Sequence, residues 1–184
     1  MTGIDLFLNN TELRNKEYMH GYENIHYSVF KILIDNNCKG FFNKLLNDEI
    51  DFDFFKFQPS FPGGYFDFLT KNKQGKFYLG EIKIWDPLSK DQFTIQRKFL
   101  YNENAFGVYV LFKRSGCTWI KNDGNNEIDK KIDGNIIMVG EKAVLEALEA
   151  INLEIYDNDM KEIIDSYKRA VKKYMIVIEI IFTI

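Results

Sequence analysis

The 184-residue chain is long enough to bury a substantial core, and its 46% hydrophobic and 16% aromatic content argues against intrinsic disorder. A formal net charge of −3 argues against a general nucleic-acid coat protein. The two cysteines lack CxxC spacing, which argues against a zinc knuckle or a disulfide framework. We therefore expect one folded domain over residues 1–184.

The two ends of the sequence bear on its location. Asp5 and several asparagines lie where the apolar part of a secretory signal would be. The apolar run over 175–184 carries Glu179 and is too short to span a bilayer, so it predicts a final buried strand. We expect a soluble, cytoplasmic protein without membrane contact.

The first third of the chain predicts two helices and a strand. Apolar residues recur at three- and four-residue spacing over 11–37, which indicates an amphipathic helix. A shorter helix is expected over 41–47, and the alternation of acids with phenylalanine over 51–57 predicts a half-buried strand. Prolines and glycines between Pro59 and Gly64 then break the chain.

A hairpin holds the most informative residues. Two strand-like runs flank a turn at Gln74 and Gly75, and a hairpin symmetrical about Gln74 places Asp67 directly opposite Glu81. Like charges opposite each other are destabilising, so a cation between them is a natural explanation. Lys83 shares the face of Glu81 by the two-residue period of a strand. An ion pair of Lys83 with either acid is the alternative.

The rest of the chain alternates between helices and strands. Ser89 and Gln92 have the spacing of a capping box that begins a helix. After it we expect a buried strand over 105–112, a loop over 121–134, a strand over 135–139, and helices over 141–151 and 159–174. This order predicts the α/β class, with one central mixed sheet flanked by helices.

The hairpin acids favour a hard metal ion. Carboxylate oxygens without a neighbouring Cys or His pair favour Mg²⁺ or Mn²⁺ over zinc. The main-chain carbonyl of Ile82 is a further candidate ligand beside Asp67 and Glu81. Such an ion would activate a water at a phosphodiester, and Lys83 would hold that water or stabilise the developing charge.

Asp67 followed by Glu81-Ile82-Lys83 resembles the PD-(D/E)XK nuclease superfamily. The resemblance covers about residues 11–115. It implies a restriction-endonuclease-like core of a helix, a mixed four-stranded sheet and a second helix. It also implies a Mg²⁺-dependent endonuclease or exonuclease that binds nucleic acid, most often DNA, and often dimerises.

The sequence departs from the family pattern in two places. Phe66 occupies the position where the family has a proline before its first acid. Gln96 resembles a glutamine that some branches carry on the helix after the motif strand, and the resemblance implies a supporting catalytic role near the active site; a glutamine satisfied in the core is the alternative. Those branches add a tyrosine four residues later. Here that position is Leu100, and Tyr101 follows one residue late.

The resemblance also implies a metal-binding acid on the first helix. Glu23 is the candidate because apolar residues flank it, with Glu17 and Glu12 as alternatives. Some viral relatives use a helical histidine, for which His26 is the candidate here. A histidine that only packs in the core or lies on the surface is the other interpretation.

The distribution of charge along the chain is compatible with a polyanionic substrate but does not require one. Residues 71–131 carry twelve bases and seven acids, whereas residues 1–55 carry five bases and nine acids. We expect a metal-dependent nuclease. The alternative is an inactive nuclease-like module that binds or inhibits a protein or nucleic-acid partner.

Overall fold

A computed structural model of the chain describes residues 16–83, 88–112 and 130–181; within these ranges the side chains of 16–25, 131, 133 and 173–181 are left undescribed. The helices are α1 (Lys16–Asp35), α2 (Lys39–Leu46), α3 (Lys90–Asn102), α4 (Glu141–Glu149) and α5 (Asn158–Ile181), with a 3₁₀ turn at Leu153–Ile155. The strands are β1 (Ile50–Phe57), β2 (Ser60–Phe61), β3 (Gly64–Tyr65), β4 (Phe68–Asn72), β5 (Phe77–Lys83), β6 (Phe106–Leu111), β7 (Lys130–Asp133) and β8 (Ile136–Val139).

Six of these strands form one mixed sheet in the order β1-β4-β5-β6-β8-β7. Strands β1, β4 and β5 form an antiparallel meander, whereas β5, β6 and β8 run parallel. Helix α3 connects β5 to its parallel neighbour β6, as a parallel pair requires a crossover. The predicted α/β class with a central mixed sheet flanked by helices is thus confirmed.

The two faces of the sheet bury separate clusters. On one face, Phe30 and Leu33 of α1 pack with Phe68 and Ile82 in the larger cluster, which α2, α4 and α5 complete. On the other face, Leu100 of α3 packs in a smaller cluster with apolar residues of β5, β6 and β8. Because side chains alternate along a strand, β5 and β6 contribute to both clusters.

The predicted hairpin is β4–β5, and its register agrees with the sequence prediction. Phe68 pairs with Gly80 and Lys71 with Phe77, so the hairpin is symmetrical about residue 74. Gly75 adopts φ +86°, a left-handed conformation that favours glycine in the turn.

Most predicted elements agree with the structure to within a few residues, but two predictions are wrong. The expected loop over 121–134 contains β7, which pairs antiparallel with β8; residues 121–129 lie outside the described part. The C-terminal run predicted as a strand continues α5 as far as Ile181, and its last three residues, 182–184, lie outside the described part. Neither Gly nor Pro interrupts 158–181, and extending a helix that has already formed requires no new nucleation.

The junction between α1 and α2 is formed at Asn37 and not at the nearby Gly40. Asn37 takes the left-handed conformation that ends α1, while Gly40 lies inside α2. A Cβ at Gly40 would lie 2.7 Å from the carbonyl oxygen of Ala150. The glycine therefore permits a close approach of α2 to the end of α4. Within the described residues, no helix combines the length and apolar character needed to span a membrane.

Candidate functional site

The first predicted acid, Asp67, comes directly before β4, and the second, Glu81, lies near the end of β5. The regular hairpin register ends at Phe68, which pairs with Gly80, and the Asp67 N–H donates to the carbonyl of the same Gly80 at 2.8 Å. Asp67 and Phe68 therefore both lie opposite Gly80, as in a β-bulge, and the predicted direct opposition of Asp67 and Glu81 is wrong because the bulge shifts the register by one residue at Asp67. Glu81 is 4% exposed and lies on the α3 face of the sheet, in register with Tyr109 of β6.

Three side chains donate to the Glu81 carboxylate. Lys83 Nζ lies 3.0 Å from Oε1, and its side chain is 16% exposed. Gln92 Nε2 donates to the same Oε1 at 2.9 Å, and Gln96 Nε2 donates to Oε2 at 3.0 Å. The charge on a nearly buried carboxylate is therefore compensated by one cation and two amides, as a buried charge requires.

Helix α3 supplies both amides. Gln92 and Gln96 are four residues apart, so they share one helix face. Ser89 begins the helix by accepting a hydrogen bond from the Gln92 N–H at 3.0 Å, which confirms half of the predicted capping box. The reciprocal hydrogen bond, from the Ser89 N–H to the Gln92 side chain, is not formed among the described residues. That part of the prediction is wrong, because the Gln92 side-chain amide donates to Glu81 instead. The four-residue spacing of the two glutamines was the available signal in the sequence.

Asp67 lies beside the main chain of β5. Its Oδ2 accepts the Ile82 N–H at 2.6 Å. Since the N–H and carbonyl of one strand residue point to the same side, the Ile82 carbonyl also points to the β4 side of β5. The Ile82 side chain is buried in the core on the opposite face from Glu81. Burial raises the pKa of Tyr27 on α1, and the nearby Asp67 charge raises it further.

Two buried polar atoms near Glu81 have no partner in the described part of the chain: the side-chain carbonyl oxygen of Gln96 and the hydroxyl of Tyr109. Burial and then the Glu81 charge raise the pKa of that hydroxyl. An unpartnered buried polar group costs about 1–3 kcal/mol. This arrangement is thus not what stability alone would select. In the sequence Tyr109 is one aromatic residue within an apolar strand, and no local pattern distinguishes it.

The donor set fits a magnesium-type ion only in part. Two carboxylates and a main-chain carbonyl are ligands that Mg²⁺ accepts, with water or phosphate oxygens completing its shell. However, the described residues contain no group of three or more His, Cys, Asp or Glu side chains able to hold a metal. Glu23 lies in α1 one turn before Tyr27, and its side chain is outside the described part, as is that of Glu17; Glu12 is wholly outside it.

His26 belongs to the core. It is fully buried, its Nδ1 hydrogen-bonds the Tyr167 hydroxyl of α5, and its ring lies 4.5 Å from that of Phe112. Burial lowers the pKa of His26 from 6.5 to about 3. The packing interpretation of His26 therefore accounts for its position.

Comparison of the chain with protein families, with curated proteins and with solved structures finds no match.

Proposed function

We propose that this protein is a metal-dependent nuclease of the PD-(D/E)XK type that hydrolyses phosphodiester bonds in DNA. The observation that carries the proposal is the grouping of Asp67, Glu81 and Lys83 at the carboxyl end of β5. Lys83 Nζ lies 3.0 Å from Glu81, and Asp67 accepts the N–H of the residue between them.

The order of elements around these residues supports the same proposal. Helix α1 precedes the strands, β1-β4-β5-β6 form a mixed four-stranded array, and α3 lies between β5 and β6. This is the order expected of a restriction-endonuclease-like core. Gln96, the supporting residue expected from the family resemblance, contacts Glu81 directly.

In the proposed reaction each residue has a separate task. Asp67, Glu81 and the Ile82 carbonyl would hold Mg²⁺ or Mn²⁺, with Glu23 as the candidate from α1. An ion held by these residues would lower the pKa of a water molecule and neutralise charge at the scissile phosphate. Lys83 would direct its ammonium group toward the attacking water or the phosphate oxygens and stabilise the added negative charge.

One observation favours the alternative, an inactive nuclease-like module that binds a partner. The Glu81 carboxylate already receives three hydrogen-bond donors, including the Lys83 ammonium. A buried carboxylate with these partners is compensated without a metal. The two proposals therefore differ in whether the purified protein takes up a divalent ion.

Calorimetric titration with Mn²⁺ separates them. The nuclease proposal predicts specific uptake by the wild-type protein that Asp67→Asn loses. Asp53→Asn is the matched control, because Asp53 is an exposed acid on β1. Absence of uptake by the wild-type protein would favour the binding module.

Incubation with labelled nucleic acids then defines the substrate. Single-stranded, duplex and branched DNA and RNA are compared in Mg²⁺ and in Mn²⁺. The proposal predicts cleavage of at least one DNA form that requires the metal and Glu81. Metal-independent cleavage, or cleavage that survives Glu81→Gln, would contradict it. Sedimentation of the same samples tests whether the protein forms a homodimer, as many members of the resembled family do.

A further inference from the structure

Gln92 and Gln96 bind one carboxylate from two successive turns of one helix. Gln92 donates to Oε1 and Gln96 to Oε2 of Glu81, at 2.9 and 3.0 Å. Two donors on different oxygens fix both the position and the rotation of the carboxylate plane. We propose that these two residues are an amide clamp that orients Glu81 for monodentate metal binding through Oε2; the metal role rests on the proposed nuclease function.

The choice of oxygen follows from counting acceptor sites. An ionised carboxylate has about four lone-pair sites, two on each oxygen. Lys83 and Gln92 occupy both sites of Oε1, whereas Gln96 occupies one site of Oε2. Within the described residues, the remaining acceptor site is therefore on Oε2. A divalent ion binding there leaves the contact between Lys83 and Oε1 intact.

The clamp has a cost that a purely structural pair would avoid. Gln96 is 1% exposed, and its carbonyl oxygen finds no hydrogen-bond partner in the described part. Rotating the amide by half a turn would exchange that carbonyl for the amide nitrogen and direct an acceptor at a carboxylate. The amide orientation is consequently determined by Glu81.

A clamp of this kind acts on the metal through its ligand. Residues that orient a ligand typically change metal affinity or activity by about 10–100-fold when they are removed. Gln92 and Gln96 are therefore positioning residues, and neither needs to touch the substrate. Their contribution is to hold Glu81 in one rotamer with one acceptor site available.

The clamp is tested first in the metal-free protein, which makes this measurement independent of nuclease activity. NMR spectra of the side-chain amides are recorded for wild type and for Glu81→Gln, which keeps the shape but removes one acceptor. We expect the signals of Gln92 or Gln96 to shift, while the signal of Gln74 in the hairpin turn stays. Unchanged signals of both clamp residues would overturn the inference.

The second measurement is Mn²⁺ affinity. Gln92→Met and Gln96→Met keep an unbranched side chain but remove the amide, and each should weaken Mn²⁺ binding by about 10–100-fold. Gln74→Met, at an exposed turn position, should bind as the wild type does. Circular dichroism and thermal unfolding confirm that each variant is folded.

The possible outcomes separate the clamp from the function. Wild-type affinity in both folded clamp variants would overturn the positioning role even in an active nuclease. A wild-type protein that takes up no Mn²⁺ would refute the nuclease proposal together with the metal role of the clamp. In that case the amide spectra still decide whether the clamp exists. Weakened binding in both variants, with the shifted amide signals, supports the inference.

Discussion

A carboxylate lies at each end of strand β5: the half-buried Asp48 at the turn end and the buried Glu81 at the other end. The two ends differ in whether all polar groups around the carboxylate have hydrogen-bond partners. At the turn end, Asp48 accepts hydrogen bonds from the Tyr78 hydroxyl, from Asn72 Nδ2 at 2.8 Å and from the Glu49 N–H at 2.8 Å. At the other end, Glu81 also accepts from three donors. However, the Gln96 carbonyl oxygen and the Tyr109 hydroxyl beside it have no hydrogen-bond partner among the described residues.

The supporting residues make the difference visible. Asn72 uses its amide nitrogen on Asp48 and its carbonyl oxygen on the N–H groups of Gln74 and Lys76. Gln96 uses its amide nitrogen on Glu81 and leaves its buried carbonyl without a described partner. A fully satisfied network stabilises a fold, whereas a partly satisfied one indicates a site arranged for another purpose.

The largest expected difference between the two ends is in the rate of DNA cleavage after removal of Lys83 or of Lys76. Lys83→Met should lower the rate of DNA cleavage by about 10²–10³-fold, the usual effect of removing one group that stabilises transition-state charge. Lys76→Met, at the turn end, should retain nearly the wild-type rate per folded molecule. Single-turnover cleavage of a labelled oligonucleotide measures both. Equal rates for the two variants would remove the proposed distinction between the ends.

Gly80 links the two ends and should be intolerant of any side chain. A Cβ there would lie 1.9 Å from Cε1 of Phe68, a ring packed between Phe30 and Phe55. We expect Gly80→Ala to reduce the free energy of unfolding by about 1–3 kcal/mol, as overpacking does. Urea denaturation measures the change.

A second substitution tests the cause. Gly80→Ala combined with Phe68→Leu should be less destabilised than the sum of the two single variants, because the smaller side chain leaves room for the methyl group. Strict additivity would show that the clash with the ring is not the origin of the effect. The same variants should also bind Mn²⁺ more weakly, because Glu81 follows Gly80 directly.

Asn72 should affect stability and leave the site intact. Asn72→Ala removes three hydrogen bonds at the turn and leaves Asp48 with one donor fewer, so a loss of about 2 kcal/mol in the free energy of unfolding is expected. Lys73→Ala is the control, because its ion pair with Glu49 is exposed and such pairs contribute about 0–1 kcal/mol. Wild-type Mn²⁺ affinity of folded Asn72→Ala would sharpen the contrast, and a loss would contradict it.

His26 gives the smallest expected effect, a pH dependence of stability. Its pKa is lowered to about 3 in the folded protein, so the unfolded state binds the additional proton between about pH 6.5 and 3. Stability is therefore complete above about pH 6.5 and falls as the pH decreases, by at most about 1.4 kcal/mol per pH unit. Urea denaturation between pH 7 and 5 measures the slope before most carboxylates titrate.

Two variants identify the histidine responsible. His26→Gln should be less stable at pH 7 and should lose most of this slope, whereas His20→Gln should keep it. An unchanged slope in His26→Gln would show that the histidine is not held neutral in the core.

The hairpin shows how far local sequence information extends. The turn at Gly75 and the alternation of apolar residues are local features, and in antiparallel strands they determine the register. The register between residues 68 and 80 and the shared face of Glu81 and Lys83 could therefore be predicted, whereas the shift of register at Asp67 could not. The α/β class could also be predicted, because helical and strand periods alternate along the chain.

Other features depend on residues far apart in the chain. The C-terminal run is rich in β-branched residues, whose preference for strands is weak and depends on context, and it continues α5. The interpretation of His26 was open from the sequence because its partners, Tyr167 and Phe112, are distant along the chain.

The sequence by itself thus determined the candidate acids, the lysine and the strand face that Glu81 and Lys83 share. Only the tertiary structure decided that α3 directs Gln92 and Gln96 at Glu81, and that Tyr109 of β6 lies beside it. The physical reason is that a local pattern fixes which face a side chain occupies. What that side chain meets is fixed by the packing of a helix and a neighbouring strand against that face.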